Sequence, residues 1–348
     1  ASNTAVGFQC LHATDDGASN TAVGYDALSS NVGNENVAVG FEAGQDLTGA
    51  ENTFIGSRAG YNIAAVNGNV AVGRYALYTS TGAVDCIAIG RQSMYSGNAT
   101  QAGTVAIGKS ALTALTSGAG NTAVGYTAGD GITDGANNTM VGYGAMHVAS
   151  SGESNNTCVG YLAGDVINGG SNNTIIGSSS DASATGATGQ IAIGKGVACT
   201  GDNIITVGIA ANTASLGLDG SDTSWAAASS DERLKENIES SSAGLGFIND
   251  LRPVTYNWKK AKDVQQDLHQ YKDSDEPVLG KEYGETLHGF IAQEVKSAID
   301  KHDDIKEGFK MWKLKDDGTQ TVADGNLIPM LVKAVQELSA KVEALENA

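Results

Sequence analysis

The chain has 348 residues, of which 46 are Gly and only 3 are Pro, and 17% of it is charged. So much glycine without proline or a three-residue period excludes collagen, and the many Val, Ile and Ala residues argue against disorder, so an extended repetitive β-structure is predicted. The formal charge of −18 argues against nucleic-acid binding, because a polyanion would be repelled.

The cysteines and the apolar segments bear on whether the protein binds a metal or inserts into a membrane. Cys10, Cys86, Cys158 and Cys199 are widely separated and lack the paired spacings of zinc or redox sites, so we interpret them as small apolar fillers. We therefore expect no metal site and no cofactor. No run of 18 apolar residues exists, which predicts no membrane insertion. The chain opens at Ala1 in mid-pattern without a signal peptide, which suggests a fragment of a longer protein.

Residues 1–220 repeat one short pattern, marked by a recurring glycine. Thirteen copies follow one another at steps of 16 to 18 residues until a final step of 14. Val or Ile always precedes the glycine, Thr, Val or Ile stands three residues before it, and Ala usually lies between them. This pattern predicts a short β-strand followed by a turn at the glycine. We expect its β-branched face, which includes Val124 and Val141, to be buried. The marker glycines are Gly7, Gly24, Gly40, Gly56, Gly73, Gly90, Gly108, Gly125, Gly142, Gly160, Gly177, Gly194 and Gly208.

An asparagine recurs four residues before the glycine in nine of the thirteen copies. Asparagines at one register of stacked coils can bond the amides above and below, as in cross-β ladders. We therefore predict a structural ladder rather than a functional site. Its members are Asn3, Asn20, Asn36, Asn52, Asn69, Asn121, Asn138, Asn156 and Asn173.

A repeat of about 17 residues is too short to bury its own core, so each coil needs cover from the next coil or from another chain. These Asn-Thr-Ala-Val-Gly strings resemble the heads of trimeric adhesins and the shafts of phage fibres, which wind into parallel β-rolls or interlocked triple β-helices. The resemblance implies a homotrimeric β-helix or β-roll shaft over residues 1–220.

The position after the glycine is variable, and two side-chain classes dominate it. Rows of aromatic side chains there can stack on sugar rings or pack against one another between coils, and we favour packing. Contacts with a host receptor are expected in polar loops such as 14–19 and 149–154 instead. The aromatic residues are Phe8, Tyr25, Phe41, Tyr126, Tyr143 and Tyr161, and the cationic ones are Arg74, Arg91, Lys109 and Lys195.

The repeats end at a junction, residues 221–230, after which the sequence is charged, aromatic and non-repetitive. Residues 230–238 read Ser-Asp-Glu-Arg-Leu-Lys-Glu-Asn-Ile. This string resembles the start of the intramolecular chaperone domains of phage tailspikes and tail fibres, the self-cleaving peptidase S74 family, and fills every fixed position of a Ser-Asp-x-Arg-Leu-Lys-x-Asn-Ile pattern. Residues 245–258 and 287–295 match two further blocks of that family. The resemblance implies a chaperone domain over residues 231–348.

The residues at the junction allow two roles for Ser230. It is a good N-cap for a helix that begins at Asp231, and it is also a potential nucleophile, because Lys235 follows about one helical turn later. Lysine acts as a base only if burial or a cationic neighbour, here Arg233, lowers its pKa. The resemblance implies self-cleavage at this serine, and we favour the Ser230–Asp231 bond. His288 is a possible catalytic helper, although a lone histidine is more often structural.

The remainder of the C-terminal module carries assembly signals. We expect Gln293 and Glu294 to make polar contacts between subunits, and residues 259–281 to form a charged loop or hairpin without chemistry of its own. Residues 327–347 repeat apolar residues at steps of three and four, which predicts a coiled coil. The heptad residues alone favour a coiled coil of two helices, whereas the resemblance favours three. The heptad residues are Ile328, Leu331, Val335, Leu338, Val342 and Leu345.

Together these features predict a mainly β trimeric shaft followed by a small α+β chaperone domain. The expected protein is a bacteriophage tail fibre in the virion, assembled in the host cytoplasm, which binds other tail proteins and a host surface receptor, a glycan or outer-membrane component. Its predicted activity is single-turnover self-cleavage by a Ser-Lys dyad. The alternatives are a bacterial trimeric adhesin without enzymatic activity and a glycan-degrading tailspike. The latter would need paired carboxylates in a groove, whereas only Asp15 and Asp16 are adjacent in the shaft.

Overall fold

The computed structural model describes residues 2–96, 102–218, 226–227, 232–266, 268, 270–278, 284, 286–303, 305–306, 309–315 and 318–348. The chain divides into two compact units, Ala1–Leu234 and Lys235–Ala348.

The first unit is a parallel β-solenoid, which confirms the predicted mainly β fold. Its main sheet has fifteen strands, of which thirteen run parallel, one to each repeat, and the last two are antiparallel. A second small sheet joins β5 to β7. The strands are Thr4–Val6 (β1), Thr21–Val23 (β2), Val37–Val39 (β3), Thr53–Ile55 (β4), Asn62–Ile63 (β5), Val70–Val72 (β6), Thr79–Ser80 (β7), Ile87–Ile89 (β8), Val105–Ile107 (β9), Thr122–Val124 (β10), Thr139–Val141 (β11), Thr157–Val159 (β12), Thr174–Ile176 (β13), Ile191–Lys195 (β14), Ile204–Ile209 (β15), Asn212–Gly217 (β16) and Ala226–Ala227 (β17).

Equivalent residues of successive repeats stack directly on one another, and the marker glycine permits this. From Gly7 to Gly194 its φ lies between 127° and 148°, a region that side chains disfavour. A Cβ atom on Gly125 would lie 2.1 Å from the carbonyl oxygen of Gly142 in the next coil. Only glycine therefore lets the chain turn while the coils remain at strand spacing.

The inner face of each strand is the opposite of the one predicted. The middle residue, such as Ala123 or Met140, is fully buried, whereas the β-branched Val141 is 36% exposed in the single chain. Val124 is half-buried. The expectation that Val124 and Val141 lie inside the coil was wrong, because the middle row, which is mostly alanine, fills the narrow interior and the β-branched rows face outward.

The coil interior balances large side chains with glycines. Phe54 occupies a middle position where most copies have alanine, and it is fully buried. A Cβ atom on Gly44 or Gly60 would approach the Phe54 ring to 3.0 or 2.9 Å, so these glycines make its space. Three of the four cysteines are buried and none is in a disulfide, which confirms that they are fillers.

The asparagine ladder is confirmed. The side-chain oxygen of Asn121 accepts from the backbone N–H of Asn138 at 3.0 Å and from its side-chain amide at 3.1 Å, and Asn138 bonds Asn156 in the same way. The ladder is interrupted where Cys86 and Thr104 take the asparagine position. Thr104 is fully buried, and its hydroxyl has no hydrogen-bond partner. The Asn side chains therefore satisfy backbone groups that the narrow coil removes from water.

The second unit is a small α+β module. A core that includes Phe247, Val295, Ile299 and Met311 lies between its helices, and α1 packs against α3. A 3-10 segment, Asp324–Leu327, leads directly into α3, so residues 324–346 form one helical stretch. The elements are Leu245–Asp250 (α1), Val254–Tyr256 (β18), Leu287–Gly289 (β19), Ala292–Asp300 (α2), Trp312–Leu314 (β20), Gln320–Val322 (β21) and Ile328–Glu346 (α3).

Candidate functional site

The junction carries the predicted processing residues. The helix expected from residue 231 onward is limited among the described residues to one 3-10 turn, Glu232–Leu234. Arg233 and Lys235 are solvent-exposed in the single chain. Ser230 and Asp231 lie outside the described residues, so the Ser230–Lys235 dyad and the Ser230–Asp231 cleavage bond stay predictions.

His288 lies on β19, opposite Thr255 of β18, and its side chain is exposed. It lines an open cavity of about 480 Å³ together with Tyr256, Trp258 and Asp324. This cavity belongs to the second unit alone. A role for His288 as a helper in cleavage stays a prediction.

Two blocks of the C-terminal module are joined by one ion pair that the sequence did not reveal. The Arg252 Nε donates to Glu294 Oε2 at 3.0 Å, and Arg252 Nη2 contacts the other carboxylate oxygen. Arg252 lowers the pKa of Glu294 through this hydrogen bond. Glu294 therefore has an internal partner, which joins α2 to the end of α1. The expected contacts of Gln293 and Glu294 with another subunit stay a prediction. Gln293 lines the cavity beside His288.

The charged insertion contains a compact ion-pair cluster. Asp275 accepts from Lys260 at 2.7 Å and lies 2.8 Å from Lys262, and these lysines lower its pKa to about 2. An isolated antiparallel bridge joins Lys260 to Pro277. These contacts fit the predicted short hairpin, with a structural use for its charges.

The aromatic rows of the shaft pack between coils, as predicted. Phe8, Tyr25 and Phe41 stack with ring centroids 5.3 Å apart at both steps. In a second run Tyr143 lies 5.1 Å from Tyr126 and 5.4 Å from Tyr161. Their ring faces are therefore largely used by each other.

Another aromatic row was not anticipated from the sequence. Tyr61, Tyr78 and Tyr95, each five residues after a marker glycine, stack at 5.1 and 5.0 Å, and the Tyr75 ring meets the second and third edge-on. The sequence signal that could have predicted this row is the common distance of the three tyrosines from the marker glycine.

Apolar rows are exposed on each unit taken by itself. Along the shaft, the residue before each marker glycine remains partly exposed, as at Ile55, Ile107 and Ile176, which are 42%, 36% and 40% exposed. On α3, Val335 and Leu345 are 65% and 78% exposed. Contiguous apolar rows of this kind are typical of interaction surfaces.

Across the described residues, no helix is long and apolar enough to cross a membrane. No cluster of three or more His, Cys, Asp or Glu in the same part of the chain is arranged to hold a metal ion.

The family comparison matches the C-terminal side of the junction. Residues 230–304, about a fifth of the chain, match the Peptidase_S74 family model, described as chaperone of endosialidase. No curated protein and no solved structure matches the chain. The C-terminal module therefore carries a chaperone domain of this family, for which self-cleaving peptidase activity is implied in general. Joined to a β-solenoid, the domain fits a tail fibre or tailspike with a C-terminal intramolecular chaperone.

Proposed function

We propose that the chain is a homotrimeric bacteriophage tail fibre whose C-terminal domain aligns three chains and then cuts itself away at Ser230. The observation that carries this proposal is the start of the family match at residue 230, where the repeats have just ended. The shaft would remain in the virion and contact other tail proteins and a host surface receptor, a glycan or outer-membrane component.

The exposed apolar rows support three-fold assembly. Shaft repeats are nearly identical, so chains that meet in slipped register would form almost equivalent contacts. A folded module at one end removes this ambiguity, because the α3 row gives three chains a common starting point. Release of that module would leave a shaft that unfolds slowly and cannot easily refold. Its stability would therefore be kinetic, set by the rate of unfolding.

The chemistry assigned to the junction is hydrolysis of one peptide bond in each chain. A neutral Lys235 would take a proton, either from the Ser230 hydroxyl or from water, and return it to the departing amine of Asp231. Ser230 cannot attack its own carbonyl, because that would form a four-membered ring, so the nucleophile for the Ser230–Asp231 bond is an activated water or the hydroxyl of another chain. In the second case the Ser230 carbonyl forms an ester with that hydroxyl as the Asp231 amine departs, and water then hydrolyses the ester. Lys235 is exposed in the single chain. The dyad therefore requires assembly to cover Lys235, because burial favours neutral lysine.

The test is a denaturing gel and intact-mass measurement of freshly expressed full chain. Wild type should yield two fragments, and the C-terminal fragment should begin with Asp231. Ser230→Ala should remain whole while it still assembles, since loss of a helix cap costs only about 1 kcal/mol. Lys235→Arg should also remain whole, because a guanidinium stays protonated.

Several results would overturn the proposal. Normal cleavage of Lys235→Arg would exclude lysine as the base and make Asp231 or His288 the better candidate. A C-terminal fragment that begins with Ser230 would place the cut one bond earlier, where the Ser230 hydroxyl can form a five-membered ring with the Ser229 carbonyl. A stable monomer in native mass measurement of uncut Ser230→Ala would remove the trimer.

A further inference from the structure

Three cations stack in one row on a shaft that is otherwise acidic. Residues 1–218 contain five Lys or Arg and fourteen Asp or Glu. Arg74, Arg91 and Lys109 each follow the marker glycine in three consecutive coils, and all three are exposed. Their strands β6, β8 and β9 pair in parallel without offset. The backbones that carry the three charges are therefore about 4.8 Å apart from one coil to the next.

Like charges at this spacing repel each other, and the fold does not compensate them. Within the described part of the chain, none of the three cations forms an ion pair with an acid, whereas Arg58 one coil earlier is paired with Glu42 at 2.5 Å. Like-charged neighbours in adjacent strands are destabilising. The row therefore costs folding stability, which a bound anion would return.

The contacts around the row indicate hydroxyl-rich surroundings. The Arg74 guanidinium donates to the Tyr75 hydroxyl at 3.1 Å, and the Lys109 ammonium to the Tyr126 hydroxyl at 3.4 Å. The same cations cover the faces of these rings, at 4.6 and 4.9 Å from the centroids. Tyr126 uses its other face to stack on Tyr143. The row thus offers charges and phenol hydroxyls rather than open ring faces.

We infer that this row, Arg74, Arg91 and Lys109, binds a linear acidic polysaccharide that lies along the shaft. Charges repeated at strand spacing suit a polymer with an anionic group on successive sugar units, since an extended pyranose is of comparable length. Base stacking requires open aromatic faces, which are occupied here, so the row is less suited to a polynucleotide. The inference rests on the proposed function, because it specifies the receptor contact proposed there. It places that contact on the row of cations, whereas the sequence predicted it in the polar loops.

The experiment measures binding to the uncut Ser230→Ala full chain, which separates it from the cleavage activity. Alginate, a uronic-acid polymer, is the probe, and neutral dextran is the matched neutral polymer. Alginate should bind, dextran should not, and affinity should fall steeply with salt. The triple variant Arg74→Gln, Arg91→Gln, Lys109→Gln should weaken alginate binding at least tenfold. Arg91→Gln alone should weaken it by a smaller factor and serves as a mild second variant.

Lys195→Gln is the matched control. Lys195 also follows a marker glycine and is exposed, but its neighbours in the row are Ser178 and Ile209 rather than cations. Its loss should leave alginate binding within twofold of the parent. The triple variant should also melt no lower than the parent, because it removes repulsion.

Several outcomes would refute the inference. They are unchanged alginate affinity in the triple variant, equal loss in Lys195→Gln, equal binding of dextran, and binding of a single-stranded oligonucleotide in place of alginate. A polyphosphate arm distinguishes the source of the anionic group, and preference for it over alginate would also contradict a uronate-type ligand. If the triple variant loses trimer stability and keeps its alginate affinity, the cations instead meet acids of a neighbouring copy.

Discussion

The asparagine ladder gives a prediction whose magnitude follows from counted hydrogen bonds. Asn138→Leu keeps the approximate shape of the side chain and removes its polarity. In the native coil the Asn138 amide donates to the Glu153 carbonyl at 2.8 Å, and its oxygen accepts from the Asn156 backbone N–H at 3.0 Å. The substitution leaves these two backbone groups unpaired in a buried region. Each costs about 1–3 kcal/mol, so a loss of about 2–6 kcal/mol is expected.

The reverse substitution is available at the gap in the ladder. Thr104 is buried at the asparagine register, and its hydroxyl lacks a partner. Thr104→Asn should supply an amide to the coil above and an acceptor for the Asn121 backbone N–H. We expect it to stabilise the shaft by about 1 kcal/mol, the net worth of a typical hydrogen bond.

Thermal unfolding of the full chain, followed by circular dichroism, should give the highest melting temperature for Thr104→Asn, a lower one for wild type and the lowest for Asn138→Leu. Hydrogen exchange should localise the damage, because repeat proteins transmit stability mainly between neighbours. In Asn138→Leu, amides near Asn156 should exchange faster, while those near Asn52, several coils away, serve as the internal control. An Asn138→Leu chain that melts like wild type, with unchanged exchange near Asn156, would show that the ladder contributes nothing measurable.

The remaining predictions concern the strand faces, pH and the Arg252–Glu294 ion pair of the second unit. Ala123→Asp should disrupt folding by several kcal/mol because it buries an unpaired carboxylate, whereas Val124→Asp on the outer face should fold and fail to trimerise; soluble native trimer from Ala123→Asp would show that the inner face is misassigned. Burial raises the pKa of Asp181 to about 6, so the folded state holds its proton more tightly and stability falls as pH rises from about 4 to 6. Asp181→Asn should therefore stabilise the shaft by about 1–2 kcal/mol at pH 7.5, after allowance for partial exposure, and change little at pH 4; an equal gain in melting temperature at both values would contradict this. Glu294→Gln should weaken the charge-assisted contact with Arg252 and lower the melting temperature of the second unit. The drop should be smaller at high salt than at low salt, because salt screens the ion pair, and an equal drop at both would indicate a packing effect instead.

Some residues of the candidate site can be identified from a sequence motif, whereas others are identified only by their contacts in the folded structure. The Ser-Asp-x-Arg-Leu-Lys string locates the junction from sequence alone, because its residues are consecutive. The pairing of Arg252 with Glu294 joins residues 42 positions apart, and each is an ordinary surface charge in sequence. The internal partner of Glu294 was not predicted for that reason. Likewise, Glu153 stands in a row that is mostly glycine, yet its side chain caps the backbone N–H groups of Ser150, Ser151 and Gly169.

The sequence by itself determined the solenoid, its thirteen strands and its asparagine ladder. Strand alternation and the need for glycine at positive φ are local backbone properties, so a regular spacing reveals them. Only the tertiary structure decided which face of each strand lies inside. Both faces are apolar, and the choice depends on the width of the coil and on distant glycines such as Gly44 and Gly60, which make room for Phe54. Burial is a property of the stacked coils together, and no single repeat contains it.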